Sequence, residues 1–150
     1  MKNLIYLSLL CLVFFSSNLQ GAERITFTKG LFTENLAIED LRRFYETGDT
    51  DGLGLLLSGD VTTPEQLKKL LGTTANNLRV ADGSRVFRSK AGFQILLNLG
   101  QRIKPFRNAT DDIAAKSLRA AVIKSLSDDN SFTVLEIFEN YSADTIFVTI

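Results

Sequence analysis

Apolar and polar residues alternate near both ends of the chain, beyond its N-terminal apolar segment, and this spacing is typical of β-strands. Residues 24–28 alternate, and a turn at Gly30 leads into a second, less regular run at 31–38. Residues 144–150 form a third run of mostly β-branched and aromatic residues. Because an isolated two-stranded ribbon is marginal in water, we expect the terminal strand to pair with the hairpin.

Between these strands, apolar residues recur three and four positions apart, which predicts helices. Thr63 precedes Pro64 and stands three residues before Gln66, which is a capping-box arrangement. Thr133 and Glu136 repeat that spacing further along the chain. We predict helices over residues 39–47, 51–57, 64–71, 81–89, 90–103, 111–126 and 134–140.

Taken together, the elements predict an α+β fold that is predominantly helical: a helix bundle with a small antiparallel sheet formed by the N-terminal hairpin and the C-terminal strand. The helix at 90–103 is apolar around much of its circumference, so we expect it in the middle of the bundle. The helix at 111–126 has a narrower apolar stripe, which we expect to face inward: Ile113, Leu118, Ala121, Val122 and Leu126.

The N-terminal segment has the pattern of a targeting sequence. Residues 4–15 are almost entirely apolar and follow Lys2. Twelve helical residues span about 18 Å, which is short of a hydrocarbon core of about 30 Å. We therefore predict a signal peptide over 1–22 and one domain over 23–150, exported to a periplasm, a thylakoid lumen or the medium. The alternative is that this segment is not cleaved. We expect attachment to a membrane only in that case.

Composition narrows the chemistry of the predicted mature domain. The chain has 17 Lys+Arg, 17 Asp+Glu, no His and one Cys. Removal of residues 1–22 takes away Cys11 and Lys2, which leaves 17 − 1 = 16 bases, 17 acids and neither His nor Cys. His-based triads, cysteine nucleophiles and His/Cys zinc sites are excluded, and we expect no metal or cofactor. Because the predicted mature domain has no net positive charge, we also expect no nucleic-acid binding.

Charge is unevenly distributed along the chain. Residues 83–110 contain six bases and no acid, whereas the chain after Lys124 contains five acids and no base. One interpretation is that the basic stretch binds an anionic partner or headgroup. The other is that the acidic C-terminal region lies nearby and neutralises it. The candidate partner-contact residues are Arg85, Arg88, Lys90, Arg102, Lys104 and Arg107.

Short segments from the first predicted strand to the last resemble one known family. They are Ala22-Glu23-Arg24-Ile25, Gly30-Leu31-Phe32, Ile38-Glu39-Asp40-Leu41, Thr47-Gly48, Leu96-Leu97-Asn98-Leu99-Gly100, Leu118-Arg119-Ala120-Ala121-Val122-Ile123 and Phe132-Thr133-Val134-Leu135. This order is similar to that of the cyanobacterial domain of unknown function that precedes α/β-hydrolase modules. The resemblance covers nearly all of the predicted mature domain. One departure is Leu31, where that family usually has Pro.

The resemblance implies a domain that accompanies a hydrolase. In many relatives a hydrolase module with a Gly-x-Ser-x-Gly elbow and a catalytic His begins just beyond the terminal strand. This sequence has neither feature. We therefore expect a stand-alone accessory domain without hydrolase activity.

The hypothesis for function is a non-catalytic interaction domain. Its partner would be a hydrolase or another envelope protein, held by surface complementarity, with Arg85, Arg88 and Lys90 orienting an acidic surface. The alternative is a binding protein for a small apolar or lipid-like ligand, in which three aromatic side chains would line a cavity instead of filling the core: Phe44, Phe87 and Phe93.

Overall fold

In a computed structural model of the chain, the described residues are 21–57 and 62–149. The predicted signal peptide thus lies outside them, apart from Gly21 and Ala22. The strands are β1 (Arg24–Lys29), β2 (Phe32–Ala37), β3 (Thr74–Ala75), β4 (Ile103–Lys104), β5 (Phe132–Thr133) and β6 (Thr145–Thr149). The helices are α1 (Ile38–Thr47), α2 (Gly54–Leu57), α3 (Pro64–Leu71), α4 (Val80–Arg88), α5 (Lys90–Gly100), α6 (Asp111–Asp129) and α7 (Val134–Glu139). The predominantly helical α+β fold class is confirmed.

The main sheet joins the two ends of the domain, as the sequence predicts, in the strand order β2-β1-β6-β4. β1 and β2 are antiparallel, and Gly30 supplies the positive φ of +60° that the first central position of a type II′ hairpin turn needs. β6 lies parallel to β1, with Ile25 opposite Ile146. β4 adds an antiparallel fourth strand through Ile103. The sheet is therefore mixed, which corrects the expectation that the terminal strand would join the hairpin in a fully antiparallel sheet. A parallel pair is possible here because the whole helical region separates its strands.

Local capping fixes the helix starts. The Thr63 hydroxyl oxygen accepts from the backbone N–H of Gln66 at 3.3 Å, and the Gln66 side-chain oxygen accepts from the Thr63 N–H at 3.1 Å. Thr133 and Glu136 form the same reciprocal pair at the start of α7. Because these interactions lie within four residues, the sequence predicted them correctly. The short helix α2 begins later than expected, since residues 51–52 form a turn.

The central helix of the bundle is α6, and the expectation that residues 90–103 would occupy the middle was wrong. α5 buries Leu96, but Ile95 and Leu99 are 58% and 46% exposed. The helix ends at Gly100, and the chain then enters β4. Apolar composition alone does not set how many neighbours surround a helix, because exposed apolar residues are common on protein surfaces.

α6 buries one face made largely of small residues. Leu118, Ala121, Val122 and Leu126 of the predicted stripe are buried, together with Ala114, Ala115 and Ser125. Ile113 is 41% exposed, which corrects its predicted place in the stripe. Small side chains allow α6 and its neighbours to approach closely.

A close approach at the corner between α4 and α5 depends on Gly92. A Cβ built at this position would overlap the carbonyl oxygen of Val86 and lie 2.9 Å from its carbonyl carbon. Both obstacles are backbone atoms, so they cannot move away by a rotamer change. Gly54, in contrast, has nothing within 4 Å of a Cβ.

We expect Gly92→Ala to lower the free energy of unfolding by about 2–4 kcal/mol, because the corner must open to admit a methyl group. The matched control Gly54→Ala adds the same methyl group in open space and is expected to change stability by less than about 1 kcal/mol. Urea denaturation of both variants measures the difference. Equal stability of the two variants would contradict the close approach.

A tyrosine lies at the centre of the core. Tyr141 is fully buried, and its hydroxyl has no well-formed hydrogen bond among the described residues. Burial raises the pKa of Tyr141 to about 12, and the neighbouring Ser117 side chain acts in the opposite direction. The cause is the cost of placing a phenolate in an apolar environment.

Tyr141→Phe should leave the free energy of unfolding at pH 7 unchanged or raise it by up to about 1 kcal/mol, because it removes an unsatisfied buried hydroxyl. A raised folded-state pKa means that stability is complete below the unfolded-state pKa of about 10 and falls as pH rises toward 12. The wild-type chain should therefore lose about 2–3 kcal/mol more than the variant across this range. Denaturation curves from pH 9 to 12 test the slope, and parallel curves would refute the assignment.

Candidate functional site

The six predicted partner-contact residues fall into two groups at opposite ends of α5. This helix has 11 residues and is therefore about 16 Å long. Three of the bases belong to α4 or to the first position of α5, and three follow the end of α5. The first group is Arg85, Arg88 and Lys90, and the second group is Arg102, Lys104 and Arg107. The basic stretch of the sequence therefore does not form one continuous patch.

The group after α5 mainly supports the fold. The Lys104 ammonium donates to the carbonyl oxygen of Ala109 at 2.9 Å and to a carboxylate oxygen of Asp111 at 3.3 Å. The Arg107 guanidinium lies 5.7 Å from the ring centre of Phe147, within cation–π range. Lys104 therefore connects β4 to the start of α6.

The side chains of the group around α4 are more accessible for contact with another molecule. Arg85 pairs with Asp82 at 3.4 Å, and Asp82 also pairs with Arg79 at 2.9 Å. Arg88 and Lys90 are exposed, and neither forms an ion pair within residues 21–57 and 62–149. Exposed ion pairs such as Arg85 with Asp82 contribute about 0–1 kcal/mol, so Arg85 can exchange its partner at little cost.

The acidic C-terminal region has partners of its own. Glu139 binds Arg42 at 2.8 Å, which raises the pKa of Arg42, while Glu136 caps α7. Asp129 accepts from the hydroxyl and backbone N–H of Ser131, and these hydrogen bonds lower the pKa of Asp129. In the described part of the chain, the ion pairs formed by the six bases use Asp82 and Asp111, which precede Lys124.

The α4–α6 groove is an open depression of about 460 Å³ between these two helices. α4 contributes Val80, Ser84 and Arg88, spaced four residues apart along one face. From α6 come Lys116, Arg119, Ala120, Ile123, Lys124 and Ser127. The lining thus has four bases, and no acid is among the described residues that form it. Arg88 is the predicted candidate that the structure brings together with the bases of α6.

Helical periodicity explains why α6 can line a groove and the core at once. At about 100° per residue, the lining positions of α6 fall on the side opposite its buried stripe. Gly83 lets α4 pack beside them, since a Cβ there would lie only 2.6 Å from a methyl carbon of Leu126. The three α6 bases were missed as site residues, although their helical spacing was visible in the sequence.

Part of the charge of the groove is compensated within α6. Lys116 pairs with Asp112 at 2.7 Å, one turn earlier on α6, and both side chains are about half exposed. Arg119 is half-buried and forms no ion pair with another described residue. Since Arg88 and Arg119 face the same depression without an acid in its lining, the groove is suited to negatively charged groups.

A second depression of about 500 Å³ is also lined by α4. It shares Ser84 and Arg88 with the groove and adds Arg85. Arg88 thus lines both concave surfaces, whereas Arg85 lines only the second. Lys90, the third base expected to orient a partner, lines neither of them.

A third depression, of about 320 Å³, lies beside the start of the described chain. It contains the Arg42–Glu139 pair together with Glu23 and Glu39. With three acids and one base, its lining has an excess of negative charge, so it does not suit an anionic ligand.

The aromatic residues proposed to line an apolar cavity fill the core instead. Phe44 is 2% exposed and belongs to the core cluster, and Phe87 and Phe93 are partly buried against it. None of them lines the three depressions described above. Among the described residues, the large apolar side chains with the highest exposed fraction are at the hairpin tip, where Leu31 and Phe32 are 100% and 81% exposed.

Among residues 21–57 and 62–149, no group of three or more Asp, Glu, His or Cys side chains is placed to hold a metal ion. No helix within the same residues has the length and apolarity needed to cross a bilayer.

The fold and the groove define a class of small, helix-rich α+β domain with a basic surface between two helices. The sequence model of one family, described as alpha/beta hydrolase of unknown function (DUF1400), matches residues 21–148. The chain belongs to this family. No curated protein and no solved structure matches it.

Mutation can distinguish a base that stabilises the fold from a base that is merely exposed. We expect Lys104→Met to lower the free energy of unfolding by about 1–2 kcal/mol, because the half-buried carbonyl and carboxylate lose their donor. Arg102→Met removes an exposed charge two residues away and should change stability by less than about 0.5 kcal/mol. Thermal and urea denaturation measure both, and equal effects would contradict the structural role of Lys104.

Proposed function

We propose that this chain is an exported, non-catalytic interaction domain that docks on an acidic surface of a hydrolase or of another envelope protein. The proposal depends on one observation, the α4–α6 groove. Arg88 and Arg119 face a concave surface whose lining adds two lysines and no acid among the described residues. Such a surface favours encounter with a negatively charged partner and suppresses basic ones.

The positions of the bases favour a specific contact over a diffuse attraction. All four lie on two helices that pack closely at Gly83, so the distances between their backbone attachment points are fixed. Sites on rigid elements hold their geometry better than sites on loops. A partner that matches this spacing gains several charge contacts without ordering a loop.

The side-chain inventory supports a non-catalytic role. Residues 21–150 contain no His, no Cys and no Gly-x-Ser-x-Gly elbow. Acids that could act in catalysis have structural partners, as Glu139 does with Arg42, Asp111 with Lys104 and Glu136 with the backbone of Thr133. The family description names a hydrolase, and we infer that this region assists one, as the resemblance to cyanobacterial hydrolase-associated domains implies.

The N-terminal sequence supports export. The run at 4–15 has the length and flanking residues of a signal peptide, and the family match begins at residue 21, where that segment ends. Export would place the domain where envelope hydrolases act.

Photo-crosslinking in the native envelope tests the proposal. The chain is expressed with its own leader and a photo-reactive amino acid in place of Ser84, inside the groove, or of Thr33, on exposed β2. We expect a crosslink from position 84 to one protein of the exported fraction with an acidic contact surface, identified by mass spectrometry, and none from position 33. Adding Arg88→Glu with Arg119→Glu should reduce the yield by about tenfold or more.

Three results would overturn the proposal. One is equal crosslinking from both positions, and another is a yield that charge reversal leaves unchanged. The third is ester hydrolysis by the purified full chain that disappears when one of its own acids or hydroxyls is replaced, because this would assign the chain a catalytic role.

A further inference from the structure

We propose that the occupant of the α4–α6 groove is an amphipathic, acidic helix of the partner protein. This inference rests on the proposed function and specifies the part of the partner that docks. It follows from three properties of the groove: the distribution of its bases, its apolar and small floor, and its length.

The bases are spread along the groove. On α6, Lys116 and Ser127 mark its ends, and their separation of 11 positions corresponds to about 16 Å, or three helical turns. Arg119 and Lys124 lie between those ends, and Arg88 faces them from α4. The Arg88 and Arg119 guanidinium groups come from different helices, and the exposed Lys116–Asp112 pair is weak enough to be exchanged, so a ligand with more than one negative group along the groove fits best.

A single-headgroup amphiphile does not meet this requirement. A fatty acid or a phospholipid has its charge at one end, so its acyl chain would lie along the charged rim of the groove and remove hydration from basic side chains there. An acidic helix carries carboxylates at intervals of three and four residues, and these fall about 5–6 Å apart on one side. The charge pattern therefore favours a peptide.

The floor of the groove favours a helix among acidic peptides. Between the bases lie the small side chains of Ser84, Ala120 and Ser127 and the apolar side chains of Val80 and Ile123. Small residues permit a third helix to approach to the usual interaxial distance of about 8–10 Å. Apolar residues on that helix would cover Val80, which is 36% exposed, and the half-buried Ile123. This arrangement is the helix-in-groove mode of recognition.

The apolar floor also argues against a nucleic acid. A phosphate backbone would satisfy the bases, but it has no apolar face to place on Val80, Ala120 and Ile123. The groove combines a charged rim with an apolar centre, which is the anatomy of a protein contact.

Binding of a designed probe tests the inference. The probe is a capped 16-residue helical peptide with Leu on one face and Glu on both flanks of that face. One control peptide has the same composition in shuffled order, and a second has Gln in place of Glu. We expect the full chain to bind the probe with a Kd below about 100 µM by fluorescence anisotropy, at least tenfold more tightly than either control.

Variants of the full chain locate the contact. Arg88→Glu with Arg119→Glu should weaken probe binding at least about tenfold. The matched control, Lys29→Glu with Arg102→Glu, makes the same change in net charge at exposed positions outside the groove and should weaken it less than about twofold. Ser84→Trp fills the floor and should abolish binding without removing a charge. Circular dichroism and thermal unfolding confirm that each variant is folded.

Several outcomes would overturn the inference. Equal binding of the shuffled peptide would show that an amphipathic arrangement is not needed. Equal binding of the Gln peptide would show that negative charge is not needed. Competition by phosphatidylglycerol vesicles, laurate or a single-stranded oligonucleotide that exceeds competition by unlabelled probe would assign the groove to that ligand instead. If position 84 still crosslinks one envelope protein while the probe does not bind, the interaction domain stands and the acidic helix is wrong. If both experiments fail, the proposed function is wrong as well.

Discussion

The packing of α6 is the interaction on which the rest of the structure depends. Its inner face is built mainly from alanines and medium-sized apolar residues, with Ala114, Ala115 and Ala121 completely buried. Because side chains on that face are short, α5, the sheet and α7 approach closely, and no disulfide is available in residues 21–150 to hold them. A rigid central helix then fixes the orientation of its outer face, and with it the spacing of Lys116, Arg119 and Lys124.

The same helix supplies one face to the core and another to the groove. Residues 114–126 alternate between a face that the core requires and a face that the fold leaves open to solvent beside α4. Charged side chains on the outer face contribute little to stability, because solvent screens them. They can therefore be used for contact with another molecule at a small cost to the fold. Lys104 shows the opposite case, since its ammonium is half-buried and bonded to backbone and carboxylate.

The acids of the chain make structural contacts in several parts of the fold. Glu136 caps a helix, Glu139 binds Arg42 across 97 residues, and Asp111 holds Lys104. Each carboxylate lowers its energy by a specific structural contact, and the contacts are distributed over the molecule. Acid–base catalysis instead needs such groups to converge on one substrate position. Four bases line the α4–α6 groove, and their placement supports the binding role that we propose for it.

The sequence by itself determined the features that arise from contacts within a few residues. The capping pairs of Thr63 and Thr133 fixed two helix starts, and Gly30 fixed the hairpin turn, because a cap or a positive φ depends only on neighbouring atoms. Only the tertiary structure decided that β6 runs parallel to β1, that α6 is the central helix, and that Arg88 and Arg119 line the same groove. The two strands and the two arginines are separated by 31 or more positions along the chain, and their proximity depends on how the intervening elements pack.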